Sequence, residues 1–251
     1  MQISGSTVVV TGANRGLGAT FVQELLERDC KVYACARNIQ DLDAVVAANA
    51  DRVCAIELDV TKQADVKSAA DKARDANLLI NNAGRLDQKS LGEAGDLSSL
   101  RGEMEVNVFG LAQMCLTFAP IIGANGGGAI INMLSAASLI ASPHFGSYAA
   151  SKAAAMSLTH SMRWDYERLG VRVVGIYAGL IHTDMVTNLD MPKTSPEAVV
   201  REAFNGIEAG EFDIAVDERS RALRTQFHSG LEEHLAASRK RATAIRDQFP
   251  R

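Results

Sequence analysis

Tyr148 and Lys152 stand four residues apart in Ser147-Tyr148-Ala149-Ala150-Ser151-Lys152, a stretch otherwise made of small side chains. On a helix, residues i and i+4 lie one above the other, so a phenol and an ammonium at this spacing can meet at one spot. A free phenol titrates near about 10, and a cation within hydrogen-bonding range lowers such a value by roughly 1 to 3 units. The pair can therefore make an acidified proton donor. The same spacing also suits a solvated helix face whose alanines simply favour helix, so the rest of the chain must decide.

A second group of residues can hold phosphates. Thr11-Gly12-Ala13-Asn14-Arg15-Gly16-Leu17-Gly18 follows a β-branched run and opens an amphipathic one. Glycines at a strand-to-helix junction permit a tight turn and close backbone approach, and a helix N-terminus offers unpaired N–H groups and partial positive charge. Gly12, Asn14, Arg15, Gly16, Leu17 and Gly18 are accordingly candidate contacts for a dinucleotide pyrophosphate. The next apolar run ends Val32-Tyr33-Ala34-Cys35-Ala36-Arg37. It lacks the carboxylate that would accept a free ribose 2′-hydroxyl, whereas Arg37 and Arg15 could both reach a 2′-phosphate. This favours NADP(H) over NAD.

The elements that must position these groups can be read from periodicity. Candidate strands are Thr7 to Val10, Lys31 to Cys35, Val53 to Leu58, Leu78 to Asn81, Ala129 to Met133, Val171 to Tyr177 and Phe212 to Val216. Helix-like stretches alternate with them: Leu17 to Arg28, Asp41 to Ala48, Gln63 to Asp75, Leu100 to Ile121, Tyr148 to Leu169 and Pro196 to Ala209. Near-continuous apolar strands indicate burial on both faces, and the alternation implies parallel crossover units. The expected fold is a single-domain, Rossmann-like α/β sandwich, a doubly wound parallel sheet of about seven strands with helices on both faces. The whole of residues 1–251 is taken as one dinucleotide-binding and catalytic domain. Residues 217–251 are expected to form a helical C-terminal extension on the domain or on a partner subunit, since Leu223, Phe227, Leu231 and Leu235 make an apolar stripe.

Composition narrows the function classes. Of the 251 residues 47% are hydrophobic, and the net charge of -4 offers no broad electropositive surface, so nucleic acid is not an expected partner. Cys30, Cys35, Cys54 and Cys115 lie mostly in apolar runs with neither C-x-x-C nor histidine spacing; they are read as buried thiols, with no metal site. A reducing, cytoplasmic setting follows from that usage, with no leader and no segment of membrane-spanning length.

Together with the glycine loop and the Tyr148–Lys152 pair, Asn81-Asn82-Ala83-Gly84, Asn107, and Ser135 thirteen residues before Tyr148 make the chain resemble the short-chain dehydrogenase/reductase family from residue 5 to residue 216. The resemblance implies Tyr148 as proton donor, Lys152 as the group that lowers its pKa and binds the nicotinamide ribose, Ser135 on the carbonyl oxygen and Asn107 holding a relay water. By position it further implies cofactor contacts at Asp59 and Val60, at Asn81, Ala83 and Gly84, and at Gly179, Ile181 and Thr183. The implied protein is an NADPH-dependent carbonyl reductase and a homodimer or homotetramer. Reduction of a carrier-bound 3-oxoacyl group and non-catalytic NADP sensing are the alternatives. Two positions depart from the family pattern. Ala178 replaces a common proline, which should leave that turn looser, and Leu134 stands where a serine often precedes the catalytic one.

Substrate choice is expected from a short lid, Asp184 to Thr194, with Met185, Val186, Leu189 and Met191 as its apolar lining. Leu86, Ala137, Ile140, His144 and Phe145 complete a pocket for an uncharged hydrophobic ketone or aldehyde. The tail beyond Asp217 is expected to supply the wall that a longer lid would build.

Overall fold

β-branched and aliphatic residues at consecutive positions form strands that can be covered on both sides, as the central strands are here, while the edge strand Val53–Glu57 is covered on one side only. The computed structural model describes residues 1–88, 91–140, 145–186 and 191–230. The strands are β1 Thr7–Thr11, β2 Lys31–Ala36, β3 Val53–Glu57, β4 Leu78–Asn81, β5 Gly128–Met133, β6 Val171–Tyr177 and β7 Asp213–Ala215. They form one parallel sheet in the order β3-β2-β1-β4-β5-β6-β7. The register sets Val10 beside Ile80 and Asn81 beside Asn132. The strand order reverses between β1 and β4, and the crevice beyond their C-terminal ends is where such sheets take ligands.

Two apolar layers flank the sheet. On one side helices α1, Gly16–Leu26, and α8, Pro196–Glu208, meet through Phe21 and Phe204, whose ring centroids are 5.7 Å apart. On the other lie α3, Gln63–Lys72, α6, Leu111–Ala124, and α7, Gly146–Glu167, carrying Val66, Phe118 and Met162 into the core. Short helices α2, Asp43–Ala48, α4, Leu91–Ala94, and α5, Ser98–Met104, complete the connections, and α9, Glu218–His228, follows β7.

Three expectations are corrected. The long helix predicted from Leu100 to Ile121 is α5 and α6 joined by a π-helical segment, Glu105–Gly110, which carries Asn107. That continuous run, Ser98–Ala124, is 27 residues and contains an 18-residue window of mean hydropathy 1.6, so one segment does reach membrane-spanning length by composition; its apolar side is spent on the core through Met114, Cys115, Phe118 and Ile122. Cys54 is exposed, unlike the other three cysteines, because alternate residues of the edge strand β3 face outward. Of the predicted lid and pocket residues, His144 and Leu189 lie outside the described residues, as do Leu231 and Leu235 of the tail.

Candidate active site

The glycine loop is shaped by close backbone contact. A Cβ on Gly18 would stand 2.0 Å from the Gly12 carbonyl oxygen, so no other residue fits there, and Gly12 itself has φ of 65°. Asn82 locks this loop to the end of β4: its Nδ2 donates to the carbonyls of Thr11 and Gly12 at 2.9 and 3.1 Å. Thr11 Oγ1 in turn accepts the Asn82 and Ala83 N–H groups, each at 3.0 Å.

Above these loops opens a cleft of ≈ 670 Å³ that runs from Arg37 and Asp59 past the glycine loop to Tyr148, Lys152, Ile181 and Thr183. Helix α1 begins at this cleft with Arg15 as its first flanking residue, no side-chain cap and no acidic residue in its first turn. Its initial N–H groups are therefore offered to an anion, as a pyrophosphate requires. Asp59 lies at the other end. Its burial works against ionisation, but the N–H and hydroxyl of Thr61, with Lys62 and Arg37 nearby, hold its carboxyl below the usual range.

The predicted contacts Gly12, Asn14, Arg15, Gly16, Leu17, Gly18, Arg37, Val60, Ala83 and Gly84 line this cleft with those already named. Two predicted contacts do not. Asn81 turns into the core, where its Nδ2 donates to Asn132 Oδ1 at 2.8 Å; strand alternation gives the cleft to Asn82 instead. Gly179 is held behind the lining, its N–H bonded at 2.6 Å to Asp217 Oδ2, so the turn expected to be loose at Ala178 is pinned from the tail. The sequence reading also missed Asp41. It lies beyond β2 on a turn that returns to the cleft, yet its carboxylate accepts Asn38 Nδ2 at 2.8 Å and Asn14 Nδ2 at 2.9 Å. A parity argument would have found Asn82; nothing local pointed to Asp41.

At the deep end, α7 carries Tyr148 and Lys152. Lys152 Nζ donates to the Met133 carbonyl at 2.7 Å and lies 5.8 Å from the centroid of the Tyr148 ring. Burial pulls the Lys152 ammonium down to about 8. Burial also pushes the Tyr148 phenol up to about 12, with the facing Ser135 hydroxyl drawing it partly back and Glu103 adding to the rise. The acidified phenol expected from the sequence is thus corrected. Lys152 is anchored on a backbone carbonyl, and burial sets the direction of the phenol's shift with no contribution from the ammonium.

Ser135 follows β5 by two residues and caps the turn Ala136–Leu139, its Oγ accepting the Ala137 N–H at 3.1 Å. The Ser135 hydroxyl proton reaches the Ala178 carbonyl only at 3.4 Å, a long bond that a better acceptor can take over. Asn107 exchanges two bonds with the backbone of Arg85, N–H to Oδ1 and Nδ2 to O, each 2.8 Å, and gives its other amide proton to Ser151 Oγ at 2.9 Å. Its amide protons are both used, and one Oδ1 lone pair remains. A Cβ on Gly84 would lie 3.4 Å from that Oδ1 and 3.8 Å from Lys152 Nζ, so the missing side chain leaves a space between the two.

Comparison with known proteins agrees with this fold. The sequence model of the short chain dehydrogenase family matches residues 6–193. A short chain dehydrogenase from Burkholderia cenocepacia J2315, solved in complex with NADP, is 36% identical, superposes with a TM-score of 0.86 and is matched over 100% of both chains. The 2-(R)-hydroxypropyl-CoM dehydrogenase of Xanthobacter autotrophicus is 32% identical over 207 residues, 77% of this chain and 82% of that one. The NADPH-dependent 1-acyldihydroxyacetone phosphate reductase of Saccharomyces cerevisiae is 30% identical over 208 residues, 78% of this chain and 69% of that one. With its family match, seven-stranded sheet and glycine-loop cleft, this chain belongs to the short-chain dehydrogenase/reductase family of oxidoreductases.

Proposed function

We propose that this protein reduces an uncharged, hydrophobic ketone or aldehyde to an alcohol with NADPH, reversibly. The observation that carries the reading is the meeting of Tyr148 and Lys152 with Ser135 at the inner end of a cleft whose outer end holds Arg37 and the uncapped start of α1.

NADPH is favoured because Arg37 lines the cleft and Arg15 stands across from it, its guanidinium 3.6 Å from exposed Asp184. Asp41 spends one acceptor site of each oxygen on an asparagine amide. The Burkholderia relative, matched over its whole length, was crystallised with NADP, which supports the same choice. The bound nicotinamide supplies the hydride that the carbonyl carbon accepts.

The chain's own residues handle the oxygen. Ser135 redirects its hydroxyl from Ala178 to the substrate oxygen and steadies the charge that grows there. Tyr148 gives that oxygen its proton; a phenol held at about 12 is fully protonated at neutral pH, the state a donor needs. Lys152, at about 8, holds a proton it can pass on. A water in the space beside Gly84, between Asn107 Oδ1 and Lys152 Nζ, would resupply it. Leu86 and Met185 give the substrate end of the cleft an apolar lining, and Gln88 Nε2 ties its two sides by donating to the Met185 carbonyl at 2.7 Å. Self-association through the outer faces of the π segment, α6 and α7 fits the exposed Phe109, Leu116 and Trp164. The free cysteines suit a reducing cytoplasm.

The test is oxidation of NADPH, with NADH alongside, against aliphatic and aromatic ketones, followed by Tyr148→Phe. Turnover should fall by about 10²- to 10⁴-fold in the variant, with NADPH binding kept. A Tyr148→Phe protein as active as the parent would remove this reading.

A further inference from the structure

Ser151 lies on α7 three positions after Tyr148 and one before Lys152, and it has no exposed surface. Its hydroxyl proton goes to the Tyr148 carbonyl at 2.8 Å. Serines inside helices often bond back to the preceding turn in this way, and that bond alone would give Ser151 no further role. A second bond does. Ser151 Oγ accepts Asn107 Nδ2 at 2.9 Å, which joins α7 to the π-helical segment Glu105–Gly110.

The direction of each bond follows from where the protons are. Asn107 is fully buried, so both of its amide protons need acceptors. The Arg85 N–H must face Oδ1 and the Arg85 carbonyl must face Nδ2, each at 2.8 Å, which leaves one Nδ2 proton. Because Ser151 has given its own proton to Tyr148, its oxygen accepts the one that remains. The carboxamide is thereby held from two sides, by the loop after β4 and by the turn of α7 that carries Tyr148 and Lys152. Its Oδ1 borders the space beside Gly84, which also reaches Lys152 Nζ. Without the Ser151 hydroxyl, Arg85 alone would hold the amide. The stranded Nδ2 proton, costly to leave unpaired in a core, would then compete for any water in that space.

We propose that Ser151 is a positioning residue for proton resupply: by taking the second amide proton of Asn107, it keeps Oδ1 available to the water that recharges Lys152. The inference rests on the reading of Tyr148 as proton donor and of that water as the relay. In each turnover the phenol gives one proton to the substrate oxygen, Lys152 makes good the loss, and water drawn from solvent returns one to Lys152. One solvent proton is consumed. Ser151 touches neither substrate nor cofactor in this sequence, so its loss slows the reprotonation that follows a reduction and not the reduction itself.

The experiment mixes the full chain, preloaded with several equivalents of NADPH, with excess of a ketone that the parent reduces, and follows NADPH oxidation by stopped flow through the first and later turnovers. In Ser151→Ala the first equivalent should be oxidised at the parent's rate and the following ones about 10-fold more slowly, with a larger solvent deuterium isotope effect on the slow phase alone. Imidazole, a small proton carrier, should speed that phase. Ser151→Thr, which keeps the hydroxyl, should restore the later turnovers. Parent-like rates throughout in a folded Ser151→Ala protein overturn the proposal. So does a loss present from the first turnover and untouched by imidazole, which would make the role one of packing. If Ser151→Ala does not fold, Ser151→Cys, whose thiol is a weak acceptor, carries the same expectation. Retained turnover in Tyr148→Phe would instead strike the proton-donor reading, and parent-like turnover in Asn107→Ala the relay reading. A slow Asn107→Ala beside a parent-like Ser151→Ala strikes the role of Ser151 alone, so the failures are separable.

Discussion

The carboxylate of Asp217 serves two elements at once: Oδ2 accepts the Gly179 N–H at 2.6 Å, and Oδ1 accepts the Ser220 N–H at 2.7 Å in the first turn of α9. The turn that leads to Ile181 and Thr183 is therefore held by the cap of a helix far from it in sequence. Asp217→Ala removes both bonds. Loss of the cap costs about 1 kcal/mol, with more from the stranded Gly179 N–H. Calorimetry should find Tm lower by roughly 3–6 °C, and kinetics a higher KM for NADPH with a smaller change in kcat.

Removing the chain after Val216 takes away Asp217 together with Leu223, which is buried against the core. If the tail walls the substrate end, the shortened protein, checked for folding by circular dichroism, should show weaker substrate affinity. Unchanged steady-state constants would place the tail outside the site.

The space beside Gly84 invites a conservative test. Its φ is not in the left-handed region, and an alanine methyl there meets Asn107 Oδ1 at 3.4 Å and Lys152 Nζ at 3.8 Å, ordinary contact distances. Gly84→Ala should therefore fold normally but exclude a bridging water. The expected outcome is a drop in kcat of about 10-fold or more, little change in the NADPH dissociation constant, and an altered solvent isotope effect.

Arg37 lines the cleft beside Asp59, and the two charges sense each other. If Arg37 receives a 2′-phosphate, Arg37→Ala should weaken NADPH by about 1.5–3 kcal/mol, the range for hydrogen bonds to charged groups. NADH should be nearly unaffected. Parallel titrations of protein fluorescence with the two cofactors measure the difference. Equal losses for both would assign Arg37 to the adenosine generally.

At the far edge of the sheet, Asp213 takes bidentate bonds of 2.9 and 2.7 Å from Arg163 and contacts His160 Nε2 at 3.1 Å. Burial opposes its ionisation, but His160 and Arg163 hold the carboxyl far below its ordinary 3.8. A depressed folded value means that this stabilisation is complete above the unfolded value and is lost as pH falls through the folded one. Asp213→Asn should accordingly be less stable at pH 7, by on the order of 2–3 kcal/mol. The gap to the parent should narrow as urea unfolding is repeated below pH 4.

Much of this was already legible along the chain. The alternation of buried strands with amphipathic stretches follows from burial on both faces of a parallel sheet, and all seven strands lie where apolar runs place them, to within a residue or two. Gly12 and Gly18 announce their loop because no other residue tolerates the turn or the approach to a neighbouring carbonyl. Tyr148 and Lys152 share a helix, so their spacing alone puts them on one face.

What the chain could not disclose depends on contacts between distant segments. Whether Asn81 or Asn82 faces the cleft depends on which side of β4 the neighbouring layer occupies. Asp41 and Asp217 meet partners that only the folded backbone brings near. The state of Tyr148 shows the division most plainly. Residue type and spacing supply a phenol and a cation, but burial and the Met133 carbonyl that takes the ammonium decide the direction of the phenol's shift, because ionisation energies are set by solvation and neighbouring groups.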